Sequence, residues 1–230
     1  MLACVLAGGE QTGFTPEGKA FARIHGKQMI DYVVEALAGA SGIDNIIIVQ
    51  EQGRLIDGVA TALKQSPDPS EYLLIVTCDV PFLTSQAVED FLDRCRSDAD
   101  LYYPIVDKRV HEQRFPGVRR TFVKLKDGTF TGGNLFLVKP AKLLPLLERV
   151  ERLLELRKSP LALSAELGLR FVFSLLFSKL TGMLTIERLE SRVAELFQID
   201  ARAVISPYPE IANDIDRPDD LRWAQKMLSG

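Results

Sequence analysis

The chain opens on an unbroken apolar run, Leu2-Ala-Cys-Val-Leu-Ala7, cut off by Gly8-Gly9. A run with no polar alternation is how a strand reads when a parallel sheet is covered on both faces. The period then changes. Ile30, Val33, Val34 and Leu37 fall on one face of a helix, and Gly39 and Gly42 mark its end. Asn45-Ile-Ile-Ile-Val49 predicts a second buried strand, 56–64 a helix, and Tyr72 to Thr77 a third buried strand stopped by Cys78-Asp79-Val80-Pro81. Thr84 is placed to cap a helix whose inner face carries Val88, Phe91 and Leu92, and Leu101 to Val106 predicts a fourth strand. The order β-α-β-α-β-α-β with short connections predicts an α/β fold. It would be a three-layer, Rossmann-like domain with a mostly parallel sheet and helices on both faces. Ligands in such folds sit at the carboxyl ends of the strands, where Gly8-Gly9 and Asp79 both fall.

The second half is less regular. Arg119 to Lys126 and Thr131 to Val138 read as strands joined by a hairpin-like turn at Lys126-Asp127-Gly128. Pro140 to Leu156 reads as a helix, Leu161 to Leu184 as strongly apolar and helical, and Thr185 to Phe197 as an amphipathic helix. Ala203-Val-Ile205 is a short strand, and Pro218 to Leu228 a helix with an aspartate-rich start. Without repeats or low-complexity linkers, residues 1–230 read as one domain with an apolar helical insertion around 161–197. Leu169 to Leu184 carries two charges in sixteen residues, too short and too charged to span a bilayer. Packing on the core or in a homodimer interface is expected instead, without stable membrane insertion.

A net charge of −3 offers no general attraction to nucleic acid, so any polyanion must be met locally. Cys4, Cys78 and Cys95 form no CxxC pair and only two His are present, which argues against zinc and suits a reducing compartment. The first apolar run has no basic segment before it and is too short for a signal peptide. A cytoplasmic location is expected.

The most informative stretch is Leu6-Ala-Gly-Gly-Glu-Gln-Thr-Gly-Phe-Thr-Pro-Glu-Gly-Lys19. Glycines directly after a buried strand let backbone N–H groups approach phosphate oxygens, and Lys19 can add a point charge. Gly13 to Lys19 also matches GxxxxGK, the start of a Walker A loop, and Leu73 to Asp79 imitates a Walker B strand. Against a P-loop ATPase or kinase, Ala20 has no hydroxyl for magnesium, Pro16 removes a donor, and Gly26 interrupts the helix that Lys19 should open.

Leu6-Ala-Gly-Gly9, a loop, Lys19-Ala20 and then Gly26-Lys-Gln-Met-Ile30 resemble the MobA-like nucleotidyltransferases. Thr77-Cys-Asp79-Val-Pro-Phe-Leu-Thr84 is similar to the family's GDxPFL segment, and Asn213-Asp-Ile-Asp-Arg-Pro-Asp-Asp-Leu221 to its C-terminal acidic segment. Thr131-Gly-Gly-Asn134 stands where the family places substrate contacts. The resemblance implies a nucleotidyltransferase-type fold and NMP transfer from an NTP to a small phosphorylated acceptor, with release of pyrophosphate. It implies Mg²⁺ or Mn²⁺ on Asp79 and Asp216, with Asp214 as the alternative ligand, and Lys19 and Asp79 as the catalytic pair. Leu6, Ala7, Gly8, Gly9, Glu10, Thr12, Lys19 and Gly58 would bind the nucleotide, and Gly133 and Asn134 the acceptor. Molybdopterin is one acceptor class among several.

One departure stands out. The family carries an arginine where this chain has Gly13-Phe14. Arg23, Lys27 and Arg54 are the cations that could replace it, and a nucleotide-binding relative without catalysis is the alternative. Each residue also has a plain structural role open to it: Gly8-Gly9 and Asp79 as turn residues, Lys19 as a solvated lysine, Asp216 as a helix cap, Asn134 as a loop residue. His25 and His111 read as surface or structural. The basic segment Arg109, Arg114, Arg119 and Arg120 is either a solvated loop or an acceptor-phosphate contact.

Overall fold

Strand β1 (Leu2–Leu6) lies between β4 (Asn45–Val49) and β5 (Leu73–Thr77) and is parallel to both. The computed structural model describes residues 1–8, 14–15, 18–50, 54–96, 98–156 and 184–228. Alternation explains the unbroken apolar run of β1. Ala3 and Val5 face the layer that holds α1 (Met29–Ala38) and α3 (Ser85–Arg94), where Ile30, Val33, Leu37, Val88 and Phe91 are buried. Cys4 and Leu6 face the opposite layer with Ala62 and Leu63 of α2 (Leu55–Lys64). Both sides of the strand are core, so both residue parities must be apolar. The expected fold holds: a mostly parallel mixed sheet with helices on both faces.

Besides β6 (Leu101–Asp107), the chain adds β7 (Val123–Leu125), β8 (Gly128–Gly132) and β9 (Leu135–Val138), and the eight-stranded sheet runs β4-β1-β5-β9-β6-β8-β7, with β10 (Ala201–Ser206) parallel to β6. A separate antiparallel pair, β2 (Arg23–Ile24) and β3 (Lys27–Gln28), leads into α1. Thr84 caps α3 as expected, its hydroxyl accepting from Ala87 N at 3.2 Å.

Four expectations are corrected. β4 is an edge strand, not a buried one, and Ile48 is 50% exposed. The predicted strand 131–138 is two strands, β8 (Gly128–Gly132) and β9 (Leu135–Val138), broken at Gly133-Asn134. Both run antiparallel to β6, but β9 also fills the gap beside β5 while β8 pairs with β7 (Val123–Leu125), so the chain must jog between them. Helix 140–156 divides into α5 (Pro140–Leu143), a 3₁₀ turn and α6 (Leu147–Leu156), because Pro145 cannot donate within a helix. Lys108–Arg114, expected as a loop, forms helix α4, opened by Asp107 Oδ1 accepting from Arg109 N at 2.7 Å.

The last described elements are α7 (Ile186–Phe197) and α8 (Pro218–Met227). Of the apolar stretch 161–184, only Leu184 lies within the described residues. No helix among the described residues is long and apolar enough to cross a membrane.

Candidate active site

Asp79 stands two residues past β5. Its Oδ1 accepts from Thr77 Oγ1 at 2.5 Å, and its carbonyl accepts from Ile215 N at 2.8 Å. The second bond draws the 213–216 segment across the carboxyl edge of the sheet. Because Asp214 and Asp216 flank Ile215, both carboxylates come to Asp79, and ligand oxygens from all three lie within 4.8 Å of one another. Asp216 is not spent as a helix cap. Asp220 accepts from Asp216 N at 3.1 Å and Arg217 N at 2.8 Å, leaving the Asp216 carboxylate free to turn inward.

Lys19 closes this cluster. Gly18 precedes it with φ of 112°, a backbone that favours glycine, and Thr15 Oγ1 donates to the Gly18 carbonyl at 2.8 Å. Lys19 Nζ reaches Asp79 Oδ2 at 2.6 Å and Asp216 Oδ1 at 3.2 Å. The helix required of a Walker A lysine is not there. Lys19–Phe21 is a single 3₁₀ turn, β2 follows, and α1 begins only at Met29. The P-loop alternative is therefore rejected.

Arg120 supplies the second cation. It pairs with Asp214, and both side chains are largely buried, at 14% and 12% exposed. Asn134 Nδ2 donates to Asp214 Oδ1 at 3.3 Å and to the Ile211 carbonyl at 3.2 Å. Burial, then the neighbouring Asp79 charge, lift the Asp214 carboxyl to about 6 despite Arg120. Burial also opposes ionisation of Asp216, but the Lys19 ammonium beside it outweighs that and holds Asp216 low. Burial works against the Lys19 ammonium too, and Asp79 and Asp216 more than compensate, so its affinity for a proton is raised.

The cluster opens onto a cleft of about 850 Å³, whose walls include Gly133, Asn134, Arg119, Arg120, Arg217 and Trp223. Gly132 is held tight there: a Cβ at that position would lie 1.7 Å from the Tyr103 hydroxyl oxygen. His111 and Asn213, the latter on the cleft wall, are buried. Desolvation, helped by the Arg120 charge, pushes His111 below its usual range, so the imidazole is neutral.

Lys19, Asp79, Asp214, Asp216, Gly133 and Asn134 thus share one site, at the edge of the sheet where Leu6, Ala7 and Gly8 end β1. Gly9, Glu10, Thr12 and Gly13 lie outside the described residues. Gly58 is not brought to the cleft by any described contact; it is buried inside α2. The three cations considered for the missing arginine are engaged elsewhere: Arg23 with the Gly26 carbonyl, Lys27 with Glu35, Arg54 with Glu151 and Asp57. Arg120 is the arginine at the carboxylates. Its partner lies 94 residues away in sequence, and its only early signal was membership of a basic segment.

The carboxylates fit a hard divalent cation, which takes oxygen ligands.

Comparison with known proteins bears on the family and the fold. The model of the MobA-like NTP transferase domain matches residues 50–161, a span that includes Asp79 and Gly133-Asn134. No curated protein sequence matches the chain. A hypothetical transferase from Thermus thermophilus is 34% identical, with a TM-score of 0.83 over 96% of this chain and 98% of that one. CMP:2-keto-3-deoxy-manno-octonic acid synthetase in complex with CTP is 13% identical, with a TM-score of 0.60 over 99% of this chain and 98% of that one. The 4-diphosphocytidyl-2C-methyl-D-erythritol synthase of Anaerococcus prevotii is 12% identical, with a TM-score of 0.60 over 100% of this chain and 96% of that one. At these identities the last two show the fold alone. From the match to the family model and the full-length likeness to the Thermus transferase, the chain belongs to the MobA-like NTP transferase domain family.

Proposed function

We propose that this protein transfers an NMP group from an NTP to a small phosphorylated acceptor and releases pyrophosphate, with a divalent metal. The carboxylate triad beside Lys19, at the mouth of a cleft lined by arginines, carries the proposal. In-line phosphoryl chemistry needs positioning and charge neutralisation more than a covalent nucleophile. Mg²⁺ or Mn²⁺ on Asp79 and Asp216, with Asp214 as the further ligand, would neutralise charge on the phosphates.

The chain's own groups have distinct tasks. Backbone N–H groups from Ala7 to Thr12 would hold the triphosphate, and the Lys19 ammonium offsets charge growing on the departing pyrophosphate. Thr77 orients Asp79. Arg120 and Asn134 orient Asp214. Because Asn134 gives its amide hydrogens to Asp214 and Ile211, its part here is positioning rather than a direct hold on the acceptor. Arg119 and Arg217, on the cleft wall, meet the acceptor's phosphate.

Pyrophosphate release is to be screened with each NTP against a panel of phosphorylated acceptors. Turnover that needs Mg²⁺ and is lost in Asp79→Asn is expected. NTP binding by calorimetry without turnover for any acceptor would instead favour the non-catalytic relative suggested by Gly13.

A further inference from the structure

We infer that Lys19 is a built-in counter-cation that holds the metal position until a triphosphate draws it away, so that divalent metal enters with the nucleotide rather than ahead of it. The inference rests on the metal site proposed above and adds an order of events to it.

The geometry is specific. Lys19 Nζ lies 2.6 Å from Asp79 Oδ2 and 3.2 Å from Asp216 Oδ1, between the two carboxylates that would hold a divalent ion. An ammonium and a metal cannot share that space. Charge gives a second reason. Asp79, Asp214 and Asp216 bring three negative charges, and Lys19 and Arg120 return two positive ones, leaving a net of −1. A divalent cation added to that cluster would overcharge it. With Lys19 gone, the same cation meets a net of −2 and neutralises it.

Lys19 is held by charge but not sealed in. Its side chain is 20% exposed, and it extends from a single 3₁₀ turn rather than from a helix. Arg120 differs, since a carboxylate and the Gly132 carbonyl both hold it in a more buried place. Of the two cations, Lys19 is the one able to leave. A triphosphate offers its ammonium a stronger anion, and the departure of the ammonium opens Asp79 and Asp216 to the metal that accompanies the nucleotide.

The test is Mn²⁺ binding to the whole protein without nucleotide, followed by the loss of the free-ion paramagnetic resonance signal. Wild type should bind weakly. Lys19→Met should bind about tenfold tighter or more, given the interaction of unit charges near a protein surface. Lys19→Gln should behave alike, and Lys19→Arg, which keeps the charge, should stay weak. Mn²⁺ should raise the melting temperature of Lys19→Met by several degrees and leave that of wild type nearly still. Adding Asp79→Asn to Lys19→Met should abolish the gain. Neutral variants that bind no tighter than wild type would overturn the inference while leaving the metal site standing. A gain that survives Asp79→Asn would place Mn²⁺ elsewhere and overturn it too. If wild type binds no Mn²⁺ even with a non-hydrolysable NTP, the metal site and the inference fall together.

Discussion

Gly133→Ala tests whether the jog between β8 and β9 is built as tightly as it must be to aim Asn134. The backbone of Gly133 is not in the left-handed region, so alanine can adopt it and the cost is purely steric. An added Cβ would lie 2.5 Å from Ile211 Cγ2, 2.9 Å from Pro104 Cγ and 3.3 Å from the Pro104 carbonyl oxygen. Carbon atoms rest at about 3.5–4.0 Å, so roughly 1 Å of movement is demanded. Neither neighbour yields readily. Ile211 is fully buried, and Pro104 is a ring fixed in β6 whose carbonyl accepts from Gly133 N at 2.8 Å. Overpacking of this kind costs about 1–3 kcal/mol, to be read as a lowered urea midpoint at unchanged slope. The same 1 Å shift, passed to Asn134, would stretch its 3.2 and 3.3 Å bonds past hydrogen-bonding range and release Asp214. Misplacement on that scale costs about 10²-fold in turnover, measured as pyrophosphate release with the substrate pair found by the screen. A Gly133→Ala protein with wild-type urea midpoint and turnover would refute the reasoning, since the jog would then have slack.

Three further outcomes are expected. Asp79→Asn should lower turnover by about 10²–10³-fold, in a pyrophosphate-release assay, while the protein stays folded by circular dichroism. His111 should set an acid limit on stability. Its folded affinity for protons is depressed by burial and Arg120, so its contribution is complete above the unfolded value near 6.5 and is lost as pH falls below it. Melting temperatures of wild type and His111→Gln from pH 7.5 to 5 should therefore converge as pH drops; a constant gap would count against a neutral buried imidazole. Finally, Cys4, Cys78 and Cys95 are each pushed up to about 12 by burial, so an aromatic disulfide reagent at pH 8 should label none of the three quickly in the native protein and all of them in urea.

The sequence by itself determined the layers and the edge at which the chemistry sits. An unbroken apolar strand demands cover on both faces, and β1 shows why, with alternate residues in opposite cores. Gly8, Lys19, Asp79 and the 213–216 segment were legible because each is a local signal: a strand end, a lysine after glycine, an acid before Val-Pro, acids before a helix. What is not local was decided only by tertiary structure. That β4 is an edge strand depends on sheet order, which hydropathy does not encode. The break at Gly133-Asn134 follows from β6 and β5 competing for one stretch of chain. The engagement of Arg120 with Asp214 depends on a side-chain meeting 94 residues apart. Most of all, a sequence can supply a lysine and three aspartates, but only packing can place the ammonium between two of the carboxylates. The Asp79 carbonyl's bond to Ile215, by drawing the last acidic segment over the end of β5, is the physical reason that Lys19 has a second carboxylate to hold.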